Sequence, residues 1–147
     1  MKKSLLKIIS FCVIFLTSNN LLSQVNNWEE HFINDIVKIE FSYQICDFSS
    51  TASQELVVFR FTNLTNENIN LSYSTKIWNN NTEVNIEQNP EEIRTNISLL
   101  ANETKISDCE NNNKEYTIFS GFVHNTTQEI YPTLTKFELT NIITENE

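Results

Sequence analysis

Leu56-Val57-Val58-Phe59-Arg60-Phe61 and Ile69-Asn70-Leu71-Ser72-Tyr73, with the polar cluster Thr62 to Asn68 between them, decide how this chain is read. The first run is rich in β-branched and aromatic residues. The second alternates apolar and polar strictly, which places every apolar side chain on one side of an extended strand. Two such runs joined by polar residues predict a β-hairpin. Its second strand continues through Thr75 and Ile77 on the same face, with Trp78 pointing the other way, and Asn79-Asn80-Asn81-Thr82 ends it.

The same rhythm recurs outward. Val37, Ile39, Phe41, Tyr43 and Ile45 alternate with Lys38, Glu40, Ser42 and Gln44, a half-buried strand ending at Cys46 before a Ser-rich loop, Asp47 to Gln54. Upstream, Trp28, Phe32 and Ile36 have helical spacing, and Asn27 with Glu30 resembles a capping box, which predicts a short N-terminal helix. Downstream, residues 83–95 are polar and acidic around Pro90, which excludes a central strand there. Ile97, Leu99 and Leu100 mark a short strand, Ile106 another, and Asn111-Asn112-Asn113 a turn. Tyr116 to Val123 reads as a strand near the middle of a sandwich, with Ile118 and Phe122 on one face and Phe119 and Val123 on the other. Gly121, the chain's one glycine, marks a bulge or a close backbone approach. After Pro132, Leu134 to Ile143 forms a last strand with Phe137, Leu139 and Ile143 on one face, followed by an acidic, frayed tail.

Seven or eight short strands without a long helix predict an all-β fold, an antiparallel Ig-like β-sandwich. With glycine nearly absent, turns that need positive φ must fall to asparagine.

Residues 1–23 read as a signal peptide rather than as part of the fold. Lys2, Lys3 and Lys7 precede a mostly apolar run, Ile8 to Leu16, and Ser23 stands before Gln24 as the cleavage point. The run is shorter than the ~20 residues that span a bilayer, so the mature chain is expected to have no membrane span. Cys12 lies inside the run behind bulky Phe11, which argues against a lipidated cysteine. Residues 24–147 then form a single β-sandwich domain, in the periplasm or outside the cell. Loss of the three lysines takes the net charge from −9 to −12. Such a surface repels phosphate backbones and anionic lipid heads, which disfavours nucleic acid as a partner.

Cys46 and Cys109 remain after cleavage. In an oxidising compartment they read first as a disulfide, closing a loop of about 64 residues and stabilising the fold by about 4 kcal/mol. Two free, buried cysteines are the alternative.

Phe59-Arg60-Phe61-Thr62-Asn63, Ile77-Trp78-Asn79-Asn80, Ile106-Ser107-Asp108-Cys109 and Leu134-Thr135-Lys136-Phe137-Glu138-Leu139 together resemble small exported proteins of unknown function from Bacteroidota. The Ser23-Gln24 junction is similar to their signal peptides. The likeness covers most of residues 37–143 and rests on strand patterns. It implies an Ig-like domain of the cell envelope or the extracellular space, and no activity. Members of that group carry additional cysteines just after the Trp-bearing strand, which this chain lacks, and that departure leaves the Cys46–Cys109 pairing open.

One glycine cannot build a P-loop, a dinucleotide fingerprint or a nucleophile elbow, each of which needs several at fixed offsets. His31 and His124 have no second ligand at metal spacing, and there is no C-x-x-C. Glu29-Glu30, Glu91-Glu92 and Asp108 with Glu110 are paired acids, but adjacent side chains point apart and do not face each other across a cleft. Asp108 to Asn112 lacks the spacing and the glycine of a calcium loop. Sequons at Asn63, Asn70, Asn80, Asn96, Asn102 and Asn125 follow from the abundance of Asn, Ser and Thr. No catalytic residue, metal or cofactor is expected. Trp78 and Tyr73 are the candidates for stacking on a sugar ring, although Tyr73 shares the inward face and a mid-sandwich Trp usually lies in the core.

The sequence thus describes an exported, non-enzymatic binding or structural module with an unidentified protein or glycan partner, a monomer or a weak edge-strand dimer. A carbohydrate or small-ligand binder is the alternative, and a small hydrolase the second alternative.

Overall fold

The structure, a computed structural model, describes residues 27–49, 52–84, 94–109, 116–124 and 131–146. The expected signal peptide, the Pro90 segment, the Asn111–Asn113 turn and the Asn125 sequon lie outside these residues.

Nine strands are present among the described residues, and no α-helix. They are β1 (Glu29–Ile33), β2 (Val37–Ser49), β3 (Ala52–Asn63), β4 (Ile69–Asn79), β5 (Thr82–Glu83), β6 (Arg94–Leu99), β7 (Thr104–Ile106), β8 (Thr117–His124) and β9 (Leu134–Asn146). They form two antiparallel sheets. The first runs β1-β2-β3, with β7 and β8 both pairing with β3; the second centres on β4, flanked by β5, β6 and β9. The all-β sandwich expected from the two-residue rhythm is what the chain builds.

Three expectations give way. First, the segment read as a helix is β1, with Glu29 opposite Phe41 and Ile33 opposite Lys38. A helix from Trp28 to Ile36 would be of marginal length on its own, whereas an extended segment satisfies backbone groups along the open side of β2. Asn34 makes the turn, its Oδ1 accepting from the backbone N–H of Ile36 (2.9 Å) and Val37 (2.7 Å).

Second, the two runs that decide the reading are not a hairpin. β3 belongs to one sheet and β4 to the other. The hairpin partner of β3 is β2, paired from Val37–Asn63 to Ser49–Ala52 with one register shift between Asp47 and Ser49, so both strands extend into the segment expected to be a Ser-rich loop. Residues 64–68 instead carry the chain between sheets, and Asn63 sets that crossing. Asn63 is 1% exposed. Its Nδ2 donates to the carbonyls of Glu67 (2.7 Å), Leu100 (2.9 Å) and Leu99 (3.4 Å). Its Oδ1 accepts from the N–H (2.9 Å) and hydroxyl (2.8 Å) of Thr65. One side chain thereby holds the β3–β4 crossing against the β6–β7 crossing.

Third, β8 is an edge strand rather than a central one, pairing among the described residues with β3 alone. β9 also differs from its pattern. Asn141 has a φ of 51°, and the register against β4 shifts between Ser72 and Ser74. This bulge hands the inward place to Ile142 and turns Ile143 outward, 40% exposed. The strand then continues through the tail expected to fray, as far as Asn146 opposite Ile69.

The core lies between the sheets. Ile39, Val57, Phe59 and Phe61 of the first meet Ile69, Leu71, Tyr73 and Leu99 of the second. Phe61 stacks on both Phe59 (5.8 Å between centroids) and Tyr73 (5.6 Å). Among the described residues, all four non-glycine positions with positive φ are asparagines: Asn80, Asn81, Asn102 and Asn141. Asparagine does fill the left-handed positions, at the Asn80-Asn81 turn from β4 to β5 and in two further places. Gly121 does not, since no glycine has positive φ.

Replacing Asn63 by Ala removes the hydrogen bonds to the Glu67, Leu99 and Leu100 carbonyls and to Thr65, and is expected to lower unfolding free energy by about 3 kcal/mol in urea melts. Gly121→Ala should hold or raise stability, by up to about 1 kcal/mol. An added Cβ would meet nothing nearer than the Thr133 methyl at 3.8 Å.

Candidate functional site

The disulfide exists and organises one surface. Cys46 and Cys109 are bonded, with a Cα–Cα distance of 5.3 Å. The two halves come from opposite sides of β3. Cys46 lies on β2, whereas Cys109 belongs to the connection between β7 and β8, which both pair with the far edge of β3. The chain from Ser107 to Cys109 therefore reaches over the outer face of the first sheet, away from the core. Its passage explains a second row of buried residues there: Ser42, Gln44, Cys46 and the fully buried Val58. On the opposite, inward face of β2 the burial fades, and Tyr43 and Ile45, expected to be covered, are 48% and 50% exposed.

Further along the outer face sits an ion-pair cluster. Glu40, only 7% exposed, receives Arg60 Nε at 2.7 Å and Lys38 Nζ at 2.8 Å, and the Arg60 guanidinium lies 4.5 Å from the centre of the Trp28 ring. The hydrogen bond from Arg60 holds the Glu40 carboxyl below the usual carboxylate range, against the opposing effect of burial. A cation satisfied by a carboxylate and covered by an indole is an internal arrangement, poorly placed to capture an anionic ligand.

Trp78 and Tyr73 are not brought together. Residues five apart on a regular strand project from opposite faces. Tyr73 is 2% exposed and stacks on Phe61 inside the core. Trp78, for which the core was the favoured place, is half-buried on the outer face of the second sheet, with Lys136 Nζ 4.4 Å from its ring centre. Lys136 pairs in turn with Glu138 at 2.6 Å, which lowers the Glu138 pKa.

His31 occupies a place that spacing alone does not reveal. The register between β1 and β2 shifts between Glu30 and Phe32, leaving His31 as the extra residue of a bulge. Its ring stacks on Phe137 of β9 (5.4 Å, 20°), and its Nε2 accepts the backbone N–H of Leu139 at 3.2 Å. One imidazole therefore joins the edge of one sheet to a strand of the other. Accepting at Nε2 requires the neutral ring with its proton on Nδ1, and burial lowers the His31 pKa, opposed by the nearby Glu138 carboxylate. Because that lone pair is already engaged, His31 is ill-suited to act as a general base. Tyr43 has its pKa raised, by burial first and then by Glu55 and Glu29.

The sequence pattern also misplaced the rings of β8. The register with β3 shifts between Glu55 and Leu56 and again between Ser53 and Gln54; at the first, Ser120 is an extra residue and Phe119 and Phe122 come to the same face, 5.1 Å apart. Tyr131 joins them, 4.6 Å from Phe122, and all three are 38–42% exposed. Gly121, read as a bulge marker, was the signal that period-2 counting fails across this strand. Among the described residues no group of three or more His, Cys, Asp or Glu could hold a metal ion, and no helix is long and apolar enough to cross a membrane. No family model, curated protein or solved structure matches the chain.

The lowered His31 pKa carries a sign. The neutral ring is favoured in the folded state, so its contribution to stability is complete above the ordinary value of 6.5 and is lost as pH falls through the lowered folded value. Thermal melts at pH 7.5 and 5.5 should show a drop in midpoint for the native protein. The drop should be smaller for His31→Gln, whose amide oxygen can still accept from Leu139 but does not titrate.

Proposed function

We propose that the chain is an exported, non-catalytic binding or structural module of the cell envelope or extracellular space, with an Ig-like sandwich as its scaffold. The observation that carries this reading is the Cys46–Cys109 bond. It ties a connection across the outer face of the first sheet, and bonds of this structural kind persist in oxidising compartments. The lysine-led apolar run before Gln24 supports the same reading, since it has the order of a secretion signal. The Ig-like assignment is supported by the way the chain alternates between sheets: β3 to β4, β6 to β7, and β8 to β9. The non-catalytic part is supported by the uses found for its perturbed groups. Glu40 is held by Arg60 and Lys38, and His31 by Leu139, each in a structural contact.

A second reading, binding of carbohydrate or a small ligand, is favoured by one observation. The Trp78 ring lies on the outer face of the second sheet rather than in the core. A sugar ring would have to displace Lys136 to stack there. A thermal-shift screen with oligosaccharides tests it: hits abolished by Trp78→Ala support it, and hits that persist in that variant remove it.

Cells expressing the full chain should deliver to the periplasm or medium a protein beginning at Gln24, with neither Cys46 nor Cys109 open to alkylation. Reduction of the bond should then lower unfolding free energy by about 3–4 kcal/mol. Retention in the cytoplasm with both thiols free would overturn the proposal.

A further inference from the structure

We infer that the protein forms a twofold homodimer in which β8 of one copy pairs antiparallel with β8 of another, joining their first sheets edge to edge. The inference goes beyond the proposed function and does not depend on export.

Among the described residues β8 pairs on one side only, with β3. Proteins guard such edges with charge, and most of the other strands here do so: Glu29 and Glu30 on β1, Arg94 on β6, Lys136, Glu138 and Glu145 on β9. β8 has no acidic or basic Asp, Glu, Lys or Arg along its eight residues, and it exposes Phe119, Phe122 and Val123 at 38%, 42% and 41%. In a chain of net charge −9, this is the edge at which two copies meet with the least repulsion. It is also the edge where water is excluded from the most ring surface.

The occupant is a second copy because the strand matches its own reverse. Thr117-Ile118-Phe119-Ser120 runs into Gly121-Phe122-Val123-His124. About an axis between Ser120 and Gly121, Phe119 opposes Phe122 and the two smallest residues oppose each other. A regular strand could not use this symmetry. Residues three apart would project from opposite faces, whereas directly opposed residues of an antiparallel pair share a face. The extra residue Ser120 removes that obstacle by bringing Phe119 and Phe122 to one face, 5.1 Å apart. Such an interface is isologous and closes at two copies, so it uses up the open edge without seeding a fibre.

Light scattering and sedimentation of the purified protein, from low micromolar to sub-millimolar concentration, should show the mass doubling. Hydrogen exchange on the same samples should show amides 117–124 becoming protected as concentration rises, with β1 and β9 unchanged. In F119K/F122K each lysine faces a lysine across the axis, and the association midpoint should rise at least about tenfold. F119K/F122E restores opposite charges at both contacts and should recover the dimer at low salt. Circular dichroism melts check that both variants fold. A wild-type protein that stays monomeric, or a dimer without protection at 117–124, overturns the inference. So does a dimer indifferent to F119K/F122K, or one that F119K/F122E fails to recover.

Discussion

A hydroxyl group at Ser107 lets β3 serve as the central strand. Both edges of a central strand must be hydrogen-bonded, because a buried N–H or C=O without a partner costs about 1–3 kcal/mol. One edge of β3 is met along its whole length by β2. The other is met in two pieces, β8 against Ser53 to Val58 and β7 against Arg60 to Thr62, and Phe59 falls in the gap. Ser107, 1% exposed, closes it: its N–H donates to the Phe59 carbonyl at 3.0 Å, and its Oγ accepts the Phe59 N–H at 3.0 Å. The same hydroxyl donates to the Tyr116 carbonyl at 2.5 Å, where the chain returns to begin β8. The ladder is thus continuous although the strand is not.

That splice lets the chain leave the sheet after Ser107 without breaking the ladder. Asp108 and Cys109 reach over its outer face, where Cys109 is bonded to Cys46. The first sheet is consequently covered on both sides near its middle. Val58 and Ser42 are buried on the face that a simple sandwich leaves wet, and the acidic Glu40 is tolerated there because two cations reach it. Core, splice and bond are one arrangement. The aromatic core fixes β3, Ser107 repairs its edge, and the bond exploits the detour.

Much of this was legible before any coordinates. Most strand positions, though not β1 or β5, followed from alternation because burial of one face forces a period of two, and the residues that cap turns at positive φ followed from the near-absence of glycine. The Cys pair was legible as a candidate bond, though not as a clamp over Val58. What escaped has a common cause. His31 and Ser120 are extra residues in bulges, and Asn141 marks another, so each shifts the parity of the residues that follow it. Ile143 and Ile142 exchange faces for that reason, and Phe119 and Phe122 come together. Asn63 looked like a turn residue and is a buried crosspiece between two crossings, a role that depends on carbonyls at Leu99 and Leu100, far away in sequence.

Taken alone, the order of side chains determined that this chain is all β and where most of its strands lie. These are local properties, set by alternation and by which residues tolerate each backbone conformation. Which strands pair was decided only in three dimensions. The runs at Leu56 and Ile69 each bury one face, and that requirement is met equally by lying side by side in one sheet or face to face in two. The choice fell to the second arrangement because it lets Phe59, Phe61 and Tyr73 stack, and because Asn63 ties the intervening loop to a segment the local pattern cannot see.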